Sequence, residues 1–173
     1  VGKMLAGGEF AACVDAKVRL VWKLELPEEL PMKPVSELLK PRDGALWQLR
    51  REDSVYAALE LLERYDVGAL MVMEGGRLVG VFSERDYTRK IALQGRGSKD
   101  TTVAEIMTTN VITVTPSTRT HACMSLMRDM RIRHLPVVDG DTVLGMISIR
   151  DLMELIIAEH EATISHLETY IQS

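Results

Sequence analysis

The chain has 173 residues, is 46% hydrophobic, and carries 21 basic against 25 acidic side chains for a net charge of −4. That length suits one ordinary domain or two small ones sharing a core, with too much apolar content for a disordered chain. The acidic balance offers no basic field for a nucleic-acid backbone, and no apolar run approaches the roughly 20 residues that span a bilayer. A soluble, cytoplasmic protein with neither nucleic acid nor membrane as partner is expected. Cys13 and Cys123 are too few for a disulfide framework and show no metal-ligand spacing.

Taken in chain order, Val18, Leu20, Trp22, Leu24 and Leu26 alternate with Arg19, Lys23 and Glu25, broken only by Val21, the pattern of a half-buried strand. Two readings of residues 1–31 stay open: a strand-bearing N-terminal extension, or sequence upstream of a start at Met32. A short helix is predicted near 35–39 and a strand around Ala45–Leu49. Asp53 or Ser54 caps a helix whose Val55, Ala58, Leu59 and Leu62 follow helical spacing. A buried strand, Ala69–Met73, turns through Gly75-Gly76 into a second strand, Leu78–Phe82, and Ser83 opens a second long helix.

The same order then returns. Val111–Val114 is predicted as a strand, Ser117 or Thr118 as the cap of a helix reaching Met130, Leu135–Val138 and Val143–Ile147 as a hairpin, and Ser148 as the start of a final helix over about 149–171. Gly80, Ser83 and Asp86 recur at a spacing of 65 as Gly145, Ser148 and Asp151. Val35-Ser-Glu-Leu-Leu-Lys40 recurs as Val103-Ala-Glu-Ile-Met-Thr108 at 68, which places a three-residue insertion near 41–44. A β-α-β-β-α unit of this size cannot bury its sheet alone, so the two copies should pack as one α+β body.

The repeated Gly-x-x-Ser-x-x-Asp has chemical content of its own. Asp86 and Asp151 fall in the first turn of a helix, where the helix dipole favours a carboxylate. A fixed carboxylate accepts two hydrogen bonds from a cis-diol such as a ribose, each contributing on the order of 1.5–3 kcal/mol. Ser83 and Ser148 stand beside unpaired helix N–H groups, a seat for phosphate. The plainer alternative is that Ser and Asp only cap their helices. Arg131, Arg133 and His134 precede a buried strand, and Arg85, Arg89, Lys90 and Arg150 lie on the motif helices; these are phosphate partners or a solvated row.

The doubled motif, the segment Arg131-Ile-Arg-His-Leu-Pro-Val-Val-Asp139 and the lead-in Ile106-Met107-Thr108 resemble the cystathionine-β-synthase (CBS) domain over roughly residues 33–160. Two such domains in tandem form a Bateman module, and Ser83-Glu-Arg-Asp-Tyr-Thr-Arg-Lys90 is similar to the stand-alone bacterial type. The resemblance implies an N-terminal extension over 1–31, repeats over 33–94 and 103–160, a linker over 95–102 and a helix extension over 161–173, packed with pseudo-two-fold symmetry. It implies a non-catalytic sensor with no required cofactor, binding AMP first, then ADP, ATP or NAD, as effector. One cleft would join Ser148, Asp151 and His134 to Ala45, Val67 and Gly68. The other would join Ser83 and Asp86 to Val111, Ile132 and Arg133, with Arg131 nearby. Trp47 either packs in the core or stacks on a base. A homodimer through the helices, with an unknown protein partner, is implied as well.

Alternatives from other classes are an S-adenosylmethionine sensor, a structural dimerisation module with empty clefts, and a nucleotide hydrolase. Gly95-Arg-Gly-Ser-Lys99 lacks the spacer of a phosphate-binding P-loop and reads as a connector. The four histidines form no ligand set, the methionines fit core positions, and no nucleophile–base pair stands out. Leu152, Leu155, Ile156, Ile164, Leu167 and Ile171 make an interrupted apolar stripe on the last helix.

Overall fold

A computed structural model describes residues 33–39 and 47–172, so the expectations for residues 1–31, for Met32 and for Ala45 lie outside the described residues. A 3₁₀ turn, Val35–Glu37, comes first, then β1 (Gln48–Leu49), α1 (Val55–Tyr65), β2 (Ala69–Glu74), β3 (Arg77–Ser83) and α2 (Glu84–Lys90). A second 3₁₀ turn, Ala92–Gln94, leads to α3 (Val103–Ile106), α4 (Thr120–Met130), β4 (His134–Asp139), β5 (Thr142–Ser148) and α5 (Ile149–Gln172).

Two sheets result. β1 pairs parallel with β2, which pairs antiparallel with β3, while β4 and β5 form an antiparallel pair. The hairpins share one register. Ala69 faces Ser83 as His134 faces Ser148, Val72 faces Gly80 as Val137 faces Gly145, and each hairpin carries a bulge at the next residue.

Sequence and structure part company in three places. Val111–Val114 is not a strand: only Val114 bridges in parallel to Val137. Val114 N–H donates to the Pro136 carbonyl at 3.0 Å and its own carbonyl accepts from Val138 N–H at 2.8 Å. Pro136 stands where the first repeat has Met71, and without an N–H it cannot donate the next ladder bond back toward Ile112. The cap of α4 is Arg119, without a side-chain cap bond, rather than Ser117 or Thr118, because the Thr118 hydroxyl accepts from Thr115 N–H at 3.0 Å and closes the preceding turn. The helix after Ser83 is short, seven residues, and passes into a 3₁₀ turn that Gly95 ends in a left-handed conformation at φ 65°.

The core is divided between the repeats in an unexpected way. One cluster gathers Leu49, Val55, Leu62, Leu70, Val72 and Phe82 from the first repeat with Val103, Ile106 and Met107 from the lead-in to the second. The other gathers Cys123, Met127, Leu135, Val137, Ile147 and Leu152 with Val35 from the lead-in to the first. Hydrogen bonds follow the same exchange. Val35 N–H donates to Thr118 O (2.9 Å) and Thr120 N–H to Lys33 O (3.0 Å), as Val103 N–H donates to Asp53 O (2.8 Å) and Val55 N–H to Thr101 O (2.9 Å). Each lead-in therefore completes the core of the opposite repeat.

Candidate functional site

Both motifs fold into the same local device. Ser83 ends β3 in extended backbone and caps α2, with its amide donating to Asp86 Oδ2 at 3.1 Å, its hydroxyl donating to the same oxygen at 2.6 Å, and Asp86 N–H donating to Ser83 Oγ at 3.3 Å. At the end of β5 the corresponding distances for Ser148 and Asp151 are 2.6, 2.8 and 3.2 Å. This is a reciprocal capping box with aspartate in the third helical position. It anchors each carboxylate by Oδ2 to the serine that ends the preceding strand.

Around Asp151 the structure forms a cleft of about 230 Å³. Val67, Gly68 and Glu84 from the first repeat face Arg133, His134, Ser148 and Asp151 from the second across it. The residues that the resemblance grouped as one cleft are thus brought together, apart from Ala45. Arg133, which the resemblance assigned beside Asp86, lines the Asp151 cleft. Glu84 was missed in the sequence; it directly follows the motif serine, but only the packing of α2 against the second repeat shows that it faces this space.

His134 packs over Gly68, where an added Cβ would lie 3.3 Å from the ring Cε1. Burial pushes the His134 pKa below the ordinary 6.5, the Asp151 carboxylate opposes the shift, and the Arg133 guanidinium adds to it. A neutral ring at pH 7 leaves Arg133 and Arg150 as the fixed positive charges in the wall of the cleft, and the planar fork of an arginine suits a phosphate.

Asp86 has different company. Its Oδ1 accepts from Lys90 Nζ at 2.7 Å and from the Thr108 hydroxyl at 3.3 Å, and Lys90 Nζ also donates to the Ile106 carbonyl at 2.5 Å. Lys90 lies four residues after Asp86 on one helix face, a spacing visible in the sequence. Thr108 is 22 residues away and arrives through the exchanged lead-in, exchanging backbone hydrogen bonds with Val81 at 2.9 and 3.0 Å.

The other expected residues fall elsewhere. Val111 is half-buried, with its N–H donating to Thr109 O, and Ile132 packs against the second core. Arg131 is exposed at the left-handed end of α4 (φ 53°), and its carbonyl accepts from Arg85 Nη1 at 2.9 Å. Pseudo-symmetry repeats that link: Arg150 Nη1 lies 3.7 Å from the carboxylate of Asp66, the left-handed end of α1. Trp47 stacks on Tyr65 with centroids 4.8 Å apart and packs against the first core. Among the described residues, no group of three or more His, Cys, Asp or Glu side chains could hold a metal ion, and no helix is long and apolar enough to cross a membrane.

The doubled hairpin, the exchanged lead-ins and the capped aspartates agree with a comparison at the level of families: the model of the CBS domain matches residues 46–93 and again 103–158. The chain belongs to the CBS-domain family. This CBS pair is 41% identical over 147 residues to the mitochondrial CBS domain-containing protein CBSX3 of Arabidopsis thaliana, spanning 80% of this chain and 71% of that one. Among solved structures it resembles a protein with CBS domains from Burkholderia ambifaria MC40-6, with a TM-score of 0.70, 45% identity, and coverage of 73% of this chain and 95% of that one. The CBS domain pair of protein MJ0100, solved in complex with 5′-methylthioadenosine and S-adenosyl-L-methionine, shares the fold at a TM-score of 0.66 and 24% identity, covering 75% of this chain and 99% of that one. CBS domain pairs of this kind are regulatory modules.

Proposed function

We propose that this CBS pair is a non-catalytic, cytoplasmic sensor of an adenine nucleotide, AMP first and then ADP, ATP or NAD, held in the clefts between its repeats. The observation that carries the reading is the Asp151 cleft. There a carboxylate fixed by its own capping box, suited to a ribose diol, shares one space with Arg133, suited to phosphate. The walls come from both repeats, so a ligand that favours one packing of the repeats shifts their equilibrium, as a switch requires. A protein partner would read that shift, and a homodimer formed through α5 would transmit it.

S-adenosylmethionine is the second reading, favoured by the adenosyl ligands of MJ0100, whose fold is the same. Calorimetric titration of the dialysed chain with AMP, ATP, NAD and S-adenosylmethionine separates the two. One adenosyl compound should bind saturably, and Asp151→Ala should weaken it about tenfold to a hundredfold, the range of one charge-assisted hydrogen bond. Flat titrations of a folded protein would leave a structural dimerisation module as the correct description.

A further inference from the structure

We infer that Lys90 is a built-in lock on the Asp86 cleft: its ammonium occupies the carboxylate oxygen that a ribose diol needs, so a nucleoside enters only by displacing it. The inference rests on the proposed reading that these aspartates receive a ribose, and it concerns the Asp86 cleft.

A carboxylate offers two oxygens to a diol. Asp86 Oδ2 is committed to the Ser83 amide and hydroxyl, and Oδ1 already receives the Lys90 ammonium at 2.7 Å and the Thr108 hydroxyl at 3.3 Å. Side-chain exposure is 13% for Asp86 and 39% for Lys90, so the carboxylate is shielded while the ammonium reaches it from the solvent side. The ammonium is held from a second side by the carbonyl of Ile106, a fully buried residue at the end of α3.

Lys90 thereby ties α2 to the lead-in that crosses over from the second repeat. That lead-in already lies close against the motif strand, since a Cβ on Gly80 would meet Met107 Sδ at 2.6 Å. Releasing Lys90 from Asp86 frees one end of this latch, and through Ile106 and Met107 the latch reaches the first core. At the corresponding position the second repeat has Leu155. Occupation of the Asp86 cleft is therefore tied to movement of the exchanged lead-in, at the toll of displacing an ammonium carried on the same helix.

The test uses the full chain with Asp151→Ala as background, so that only the Asp86 cleft reports, and adenosine and AMP as probes in calorimetry. Lys90→Leu, the residue the second repeat carries there, should strengthen binding about tenfold to a hundredfold over the background. Lys90→Gln, which keeps a polar reach toward the Ile106 carbonyl without the charge, should strengthen it in the same direction. Adding Asp86→Ala should remove the gain. Affinity within twofold of background in both Lys90 variants overturns the lock, and the sensor reading then stands or falls on binding by the unsubstituted chain. Flat titrations of that chain and of every variant overturn both together.

Discussion

His134 shows how one side chain links the cleft to pH. Burial holds its pKa below 6.5, so the folded protein keeps the ring neutral in a range where the unfolded chain binds a proton. The stability this contributes is complete above about pH 6.5 and is lost as pH falls through the lower, folded value. The charged groups that line the cleft with the ring are Asp66, Glu84, Arg133, Arg150 and Asp151. Thermal midpoints measured between about pH 7.5 and 5 should therefore fall more steeply in the unsubstituted chain than in His134→Gln. Parallel curves would show that His134 takes up no proton on unfolding. The glycine beneath the ring belongs to the same arrangement, because any side chain at Gly68 would press on the imidazole.

Among the elements, α5 carries more than its repeat requires. Leu152 is buried in the second core, yet Met153, Ile157 and Ile164 are exposed on the same helix. Of the stripe expected from the sequence, Leu152 is buried, Leu155 and Ile156 are half-buried and Ile164 is exposed, with the side chains of Leu167 and Ile171 outside the described residues; Met153 and Ile157 add an outward apolar face that the stripe did not include. Fully burying one such side chain is worth about 1.5–3 kcal/mol, and in a two-fold dimer each contribution enters twice. Ile157→Asp should therefore turn a dimer into a monomer by sedimentation while leaving the helical circular dichroism intact. A dimer mass that survives the substitution removes α5 from the interface. Seven-residue α2 has no such surplus; it carries Asp86 and Lys90 on one face.

At the scale of the molecule, the exchanged lead-ins make two repeats into one folding unit. Val35 belongs to the first repeat by sequence and to the second core by packing, and Val103 is its mirror. Val35→Ala should cost about 2 kcal/mol, from the lost methyl burial and the cavity left behind. Hydrogen exchange should show the loss equally at Leu70 in the first core and Leu135 in the second, because neither repeat keeps its core without the other's segment. Softening confined to Leu135 would mean that the repeats open separately.

Much of this protein was legible in the sequence, for a physical reason: strand alternation, hairpin glycines and serine caps are local codes, and a repeat states each of them twice. The hairpin register, the capped aspartates and the grouping of Ser148, Asp151 and His134 with Val67 and Gly68 follow from short-range chemistry together with a family resemblance. The missing strand before α4 traces to Pro136, more than 20 residues further on, whose effect depends on which backbone the proline faces across the sheet. What tertiary structure alone decided are contacts between residues distant in the chain. Val35 completes the opposite core, Thr108 reaches Asp86, and Arg133 and Glu84 share the Asp151 cleft. Sequence spacing describes neighbours along one element, whereas these pairings are set by how two half-formed cores bury their remaining apolar surface against each other.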